Sequence, residues 1–393
     1  MAKVVVGLSG GVDSSVAAHL LIEQGHDVIG VFMKNWHDET VVINNECPWI
    51  EDSNDALLVA EKLGIPFQVV DLSAEYKDRI VDYMFAEYEA GRTPNPDVLC
   101  NREIKFDAFA KIAMDLGADF VATGHYCQKQ TTTLDNGEVV HHLISGADKG
   151  KDQSYFLCQI SQEQLSKALF PIGHLQKSEV REIATQQDLV TASKKDSQGL
   201  CFVGKISLPE FLQQKLAPKE GNVYQVKRDT LKNQIDAFKS TDNLQLLANP
   251  FDLEQEDNIL KGTHIGAHYY TVGQRKGLGI GGTVDPLFVI GTDVDKNIVY
   301  VGESTDHPGL YRPALQLDEK SLVWINRAAE ISDNSSLEID CRIRYRQSLQ
   351  KAVLHNKAGL YFITFSEWQR GITPGQFAAF YLDGELVGSG VIQ

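Results

Sequence analysis

Residues 3–25, KVVVGLSGGVDSSVAAHLLIEQG, constrain the fold more than any other stretch of this chain. The run VVVGL is apolar at successive positions, the pattern of a strand buried on both faces. SSVAAHLLIEQ reads as a helix stopped by Gly25. A buried strand that turns at once into a helix is the building block of a parallel sheet covered by helices. The same rhythm continues through DVIGVFM, DALLVAEKLG, PFQVVDL, a helical run from Ala74 to Ala90, a helix after Cys100, and DFVATGHY. These elements predict a doubly wound α/β sheet with its ligand site at the carboxyl ends of the strands. Residues 161–188 read as further helices.

Later the character changes. Residues 219–262 are polar with little periodicity and read as an irregular insert, whereas short alternating segments dominate from about residue 266. HYYTVGQ, PLFVIGTDV, NIVYVGE, CRIRYRQ, GLYFITF and QFAAFYL predict an antiparallel β-barrel. With 393 residues, three domains are expected: an α/β domain at 1–206, a small middle domain at 207–278 and a C-terminal barrel at 279–393. The apolar runs are strand-length and no secretory leader is evident, so a cytoplasmic protein without membrane contact is expected. Six cysteines, at 47, 100, 127, 158, 201 and 341, form no C-x-x-C pair or zinc spacing. The net charge of −16 argues against nonspecific coating of nucleic acid but leaves room for a local basic groove.

The turn GLSGGVDSS is built for an anion. Gly10 and Gly11 let backbone N–H groups turn inward, and the helix that follows adds its positive end. Ser9, Ser14 and Ser15 offer hydroxyls, and Asp13 is a candidate for placing Mg²⁺. No lysine follows the glycines, so this is not the G-x-x-x-x-G-K-[ST] loop, and the dinucleotide G-x-G-x-x-G spacing is also missing. The alternative is a plain glycine turn before a serine-capped helix. A second stretch, TPNPDVLCNREIKF (93–106), sets Cys100 near a helix start. Pro96 suits the first helical position with Asn95 as its cap, or Asn101 caps a helix that begins later. Phe106, Phe109, Ala110, Ala113 and Leu116 recur on what should be the buried face. Either way the helix dipole favours a thiolate at Cys100, and the residue is a nucleophile or a small core residue.

S-G-G-x-D-S after a first strand resembles the PP-loop ATP pyrophosphatases. That resemblance implies that ATP is split to AMP and pyrophosphate, with Gly7, Leu8, Ser9, Gly10, Gly11, Val12, Asp13 and Ser14 around the phosphates. It further implies adenine against the backbone at Met33 and a nucleotide contact at Gly124. Taken with TPNPDVLCNREIKF, ATGHY, KDQSYFL, DSQGLCF and YYTVGQRKGLGIGG, the sequence resembles the bacterial tRNA-specific 2-thiouridylases nearly throughout, the 219–262 segment being the departure. The resemblance implies adenylation of a wobble uridine in tRNA of the Lys, Glu and Gln type, followed by sulfur transfer. It makes Cys201 the persulfide carrier and Cys100 the second catalytic cysteine. The sulfur comes from a persulfide donor, a cysteine desulfurase or a sulfur-relay protein. Asn95, Pro96 and Asp97 would contact the target base, with Asp97 a general acid–base or simply a carboxylate at a helix start.

By the same resemblance His125, Lys151, Asp152, Gln153, Arg344, Tyr345 and Gln376 are tRNA contacts, although His125 also fits a structural role. Arg342, Arg344 and Arg346 in CRIRYRQ would share one face of a regular strand as a basic stripe. Lys149 and Lys151, and Arg275 and Lys276, form two more local basic clusters. A base buried in an RNA stack would have to be extruded to react. The rival readings are an amide-forming PP-loop ligase, which needs no cysteine pair, and an RNA-binding protein with a vestigial nucleotide fold. An iron–sulfur thiolase is disfavoured by the missing C-x-x-C.

Overall fold

Val4, Val5 and Val6 have no exposed surface, which a strand covered on both faces requires. They lie in β1 (Lys3–Gly7), followed along the chain by β2 (Asp27–Lys34), β3 (Phe67–Asp71) and β4 (Phe120–Ala122). A hairpin, β5 (Cys127–Thr133) and β6 (Val139–Ser145), precedes the short β7 (Ala168–Leu169). The parallel sheet has the order β3-β2-β1-β4-β7, as a doubly wound domain demands. Val4 and Val6 pack on the Val12–Glu23 and Pro48–Leu63 helices, while Val5 faces the opposite layer, which holds Ile80, Met84, Ile104 and Phe109. The computed structural model describes residues 1–35, 48–195 and 208–393. Cys47, Cys201 and the rest of DSQGLCF lie outside the described residues.

The polar segment is not irregular. It contains β8 (Gly221–Gln225), the Lys232–Lys239 and Leu244–Ala248 helices and β9 (Ile259–His264). Each element contributes only a few apolar residues, and these meet across the domain: Leu231, Phe238 and Phe251 share a core with Phe288, Ile290 and Tyr300. The partners lie on β10 (Leu287–Asp293) and β11 (Ile298–Glu303), and the sheet order is β10-β11-β8-β9. Two of the middle domain's four strands therefore follow residue 278, and the boundary expected there cuts through a hydrogen-bonded sheet. HYYTVGQ is not a strand either; Ala267–Tyr269 forms a single helical turn.

The C-terminal strands are β12 (Tyr311–Leu317), β13 (Val323–Trp324), β14 (Ser336–Arg342), β15 (Gln350–Lys357), β16 (Leu360–Arg370), β17 (Phe377–Leu382) and β18 (Glu385–Val391). They run β12-β16-β15-β14-β17-β18, and a bridge between Leu317 and Ile392 brings the two ends together, as the expected barrel requires. The β5–β6 hairpin joins this sheet, with Leu143 level with Leu386. Strands early in the chain thus extend the last sheet. Among the described residues no helix is long and apolar enough to cross a membrane.

Candidate active site

The phosphate loop sits where the sheet places it, between the end of β1 and the Val12–Glu23 helix. Gly10 has φ +71°, and a Cβ there would lie 2.2 Å from the Asp52 carbonyl oxygen, so both its conformation and its surroundings require glycine. Gly124 lies against the loop from the end of β4; a Cβ on it would come within 2.7 Å of the Asp13–Ser14 backbone. Ser14 and Ser15 turn inward, both donating to the Gly11 carbonyl at 3.1 and 2.8 Å. Ser9 remains exposed, with its N–H bonded to Ser14 Oγ at 3.1 Å. Met33 is buried beneath Gly7, its Cε 3.2 Å from where a Cβ would stand.

A lysine is present after all. Lys177 opens the Lys177–Gln186 helix and places its Nζ 2.7 and 3.0 Å from the two oxygens of Asp13. The Tyr126 hydroxyl donates to the same carboxylate at 2.7 Å, and Gln153 Oε1 accepts from the Tyr126 N–H at 3.0 Å. Both oxygens of Asp13, the candidate for placing Mg²⁺, are thereby engaged by an ammonium. Among the described residues no group of three His, Cys, Asp or Glu side chains is arranged to hold a metal. The loop itself does fit a nucleotide's phosphates: a positive-φ glycine, an exposed serine, a helix N-terminus and, beside them, an ammonium. Sequence reasoning missed Lys177. Its only local signal is a cation at a helix start, where the dipole disfavours one.

The cysteine helix begins at Pro96, and Asn95 caps it by accepting the Val98 N–H at 3.3 Å. Asn101 is no cap; its amide donates to the Phe156 carbonyl at 3.0 Å. From Cys100 to Ala108 the helix widens to π geometry before Phe109–Asp115 returns to α, a feature often found at functional sites. A helix leading into a parallel strand runs antiparallel to it, so its N-terminus lies at the carboxyl edge of the sheet. Two contacts fix this direction. Phe109 packs against Gly7, and the Lys3 ammonium, at the start of β1, reaches the Leu116 carbonyl at 2.8 Å. Cys100 lies nine residues before Phe109 and so further along the helix axis, toward the carboxyl edge. It is therefore on the phosphate-loop side of the sheet, although fully buried.

The other described thiols are core residues. Burial pushes Cys127 well above the usual thiol range and Cys158 up to about 12; Cys341 is also raised by burial. His125 is buried, its Nδ1 2.7 Å from Thr123 Oγ1 and its ring beside Phe106 and Phe170; burial first, and Lys105 second, hold it well below the usual range, hence neutral. This environment is that of a structural histidine.

Three family models match the chain in succession: the "tRNA methyl transferase HUP domain" at residues 2–205, the "tRNA methyl transferase PRC-barrel domain" at 252–303 and the "Aminomethyltransferase beta-barrel domain" at 315–392. The tRNA-specific 2-thiouridylase MnmA of Flavobacterium johnsoniae is 62% identical over 395 residues, covering 100% of both chains. That of Christiangramia forsetii is 60% identical with the same coverage. The chain belongs to the tRNA-specific 2-thiouridylase family. Among solved structures, a 4-thiouridine synthetase–RNA complex with bound ATP shares 20% identity over 54% of this chain and 50% of that one, with a TM-score of 0.32, too low to carry an argument.

For a 2-thiouridylase, the positions expected to touch tRNA divide into two groups. Asp152 is buried, accepts from the Gly146 and Ser154 N–H groups at 3.0 and 3.1 Å, and pairs with Arg342 at 3.3 Å. It anchors the KDQSYFL turn and presents no face to RNA, so the structure does not support a direct contact there. Gln153 likewise points inward to Tyr126. Gln376 donates to the Thr93 and Pro94 carbonyls at 2.8 and 3.2 Å, so the barrel holds the segment that carries Asn95, Pro96 and Asp97. Lys151 is half-buried, as is Tyr345, whose ring lies 4.2 Å from Phe156. The arginine stripe is not formed. β14 ends at Arg342, which is buried; Arg344 donates to the Val272 and Gly371 carbonyls at 3.1 and 2.7 Å, and only Arg346 is exposed.

Proposed function

We propose that this protein converts the wobble uridine of tRNA to 2-thiouridine, using ATP and a cysteine persulfide. The observation that carries this reading is the direction of the Pro96–Asp115 helix, which sets Cys100 on the edge of the sheet where the β1 loop is built for phosphates. In this scheme the uracil O2 attacks the α-phosphorus of ATP and pyrophosphate leaves. The terminal sulfur of a persulfide on Cys201, which lies outside the described residues, then displaces AMP from C2. The product is a disulfide between the base and Cys201. Cys100 attacks the Cys201 sulfur, releasing the thiolated base and leaving a Cys100–Cys201 disulfide for an external thiol to reduce. Asp97, on the first turn beside the target base, would handle the proton at N3. Asn95 and Pro96 set the turn that receives the base, and Lys177 neutralises charge that develops on the departing pyrophosphate.

The descriptions of two family models mention methyl transfer, but the relatives that cover all three domains are named 2-thiouridylases, and cysteine chemistry beside a PP-loop accords with thiolation. The test is to incubate tRNA with the protein, ATP, Mg²⁺ and a persulfide source, then analyse nucleosides by mass spectrometry. 2-Thiouridine should form with equimolar AMP and pyrophosphate. Unmodified tRNA, or ADP and phosphate as products, overturns the reading.

A further inference from the structure

The loop between Gly273 and Leu287 is not accounted for by the active site. Gly277, Gly279 and Gly282 hold φ values of +83°, +66° and +81°, conformations that β-branched and bulky residues resist. From Gly279 to Thr283, five successive backbone N–H groups donate to no acceptor among the described residues. Arg275 and Lys276 are exposed and have no acidic partner among those residues. The nearby Glu303 is already occupied by the Asp285 N–H and the Gln225 amide. The loop borders a cleft of about 460 Å³ with Arg275, Gly277 and Gly279 in its wall and Leu278, Ile280 and Leu287 as its apolar lining.

The location is as telling as the composition. At the loop's stem Thr271 Oγ1 lies 3.1 Å from Thr93 Oγ1, in the segment that leads to Asn95. Val272 accepts from Arg344, and Gly273 is bonded to β10 through the Val289 carbonyl at 2.7 Å. The stem is thus tied both to β10 and to the segment that leads into the turn proposed to receive the base. Successive backbone donors presented by glycines, with two cations on the rim and no acceptor among them, match phosphate oxygens, and such contacts position a nucleic acid without reading its sequence. The apolar lining suits a ribose or a base face.

We propose that residues 275–283 form a binding site for the RNA backbone next to the target nucleotide, with the phosphates held by Arg275, Lys276 and the N–H groups of Gly279–Thr283. This rests on the tRNA-thiolation reading above. The experiment compares tRNA binding by the full-length wild type and the Arg275→Ala/Lys276→Ala variant across a salt titration. Near 0.1 M salt the variant should bind roughly tenfold or more weakly, and its log–log salt slope should be shallower by about 1.4–1.8, two phosphate contacts' worth. KM for tRNA should rise by more than kcat falls. Hydrogen exchange on the wild type tests the backbone donors without any mutation: tRNA should slow exchange at Gly279–Thr283. Equal affinity and slope in the variant, with exchange unaltered in a wild type that still thiolates, overturns the loop site alone. A wild type that neither binds nor thiolates tRNA overturns the functional reading itself.

Discussion

Asp13 and Lys177 stand 164 positions apart in sequence, yet their side chains form an ion pair 2.7 Å long at the phosphate loop. In the proposed scheme an amine so placed would lie beside the negative charge that grows as pyrophosphate leaves, and removal of such a group typically costs about 10²–10³ in rate. Lys177→Met should therefore cut tRNA-dependent pyrophosphate release by about two orders of magnitude while tRNA binding persists. A wild-type rate would reduce Lys177 to a structural tie for Asp13. For Cys100 the expected outcome differs in kind. Cys100→Ser should still accept sulfur on Cys201, detected by intact-protein mass spectrometry, yet yield no thiolated tRNA in a single turnover. Normal thiolation would make Cys100 the packing residue that its complete burial also allows. What could be read in advance at this scale was local. The Asn95 cap and the position of Cys100 depend on neighbours a few residues away. Lys177 depends on tertiary folding, and Asp152 looked like a surface residue in a polar motif because a buried carboxylate and its Arg342 partner are remote in sequence.

Elements were legible in proportion to their burial. The parallel strands are apolar throughout and could be found directly; the Lys232–Lys239 helix buries little beyond Phe238 and could not. CRIRYRQ alternates like a strand, but the chain leaves β14 after Arg342, and period-two reasoning fails beyond that point. The middle domain has its own chemistry in His307, which holds the turn after β11. Its Nε2–H donates to the Val226 carbonyl at 3.1 Å and its Nδ1 accepts the Gly309 N–H at 3.2 Å, so only the neutral ring satisfies both. Burial is the main reason its pKa falls to about 4. The unfolded chain, with an ordinary value near 6.5, binds that proton first as the pH drops. The contribution is therefore complete above about pH 6.5 and is lost on acidification toward pH 4, by roughly 3 kcal/mol at most. Thermal unfolding should show the middle domain losing stability across that window. His307→Gln should be less stable at neutral pH but flatter with pH; an unchanged slope would place the acid sensitivity elsewhere.

On the scale of the whole molecule, the sequence suggested three consecutive domains, and the structure shows them joined. The β5–β6 hairpin extends the C-terminal sheet, Tyr155 donates to the Ile343 and Phe377 carbonyls, and Gln159 reaches Ser321 and Ser389. Segment periodicity cannot reveal such joints, since each is a pairing across more than 150 residues. Asp152, Ser154 and Tyr155 of KDQSYFL form a clasp between domains. The clasp nearest the chemistry is Gln376, whose amide bridges two carbonyls just before Asn95. The barrel thereby fixes the segment that leads into the turn proposed to receive the base. Gln376→Ala removes two hydrogen bonds, each worth about 1 kcal/mol. Gln376→Glu does more, because it turns a carboxylate toward two carbonyl oxygens. The alanine variant should lower kcat/KM for tRNA by up to about thirtyfold, the size that a loss of about 2 kcal/mol sets, and the glutamate variant should lower it further. Steady-state thiolation with thermal unfolding as a control checks this order. If both variants thiolate like the wild type, the clasp does not position the base, and the link between barrel and catalytic domain is mechanical only.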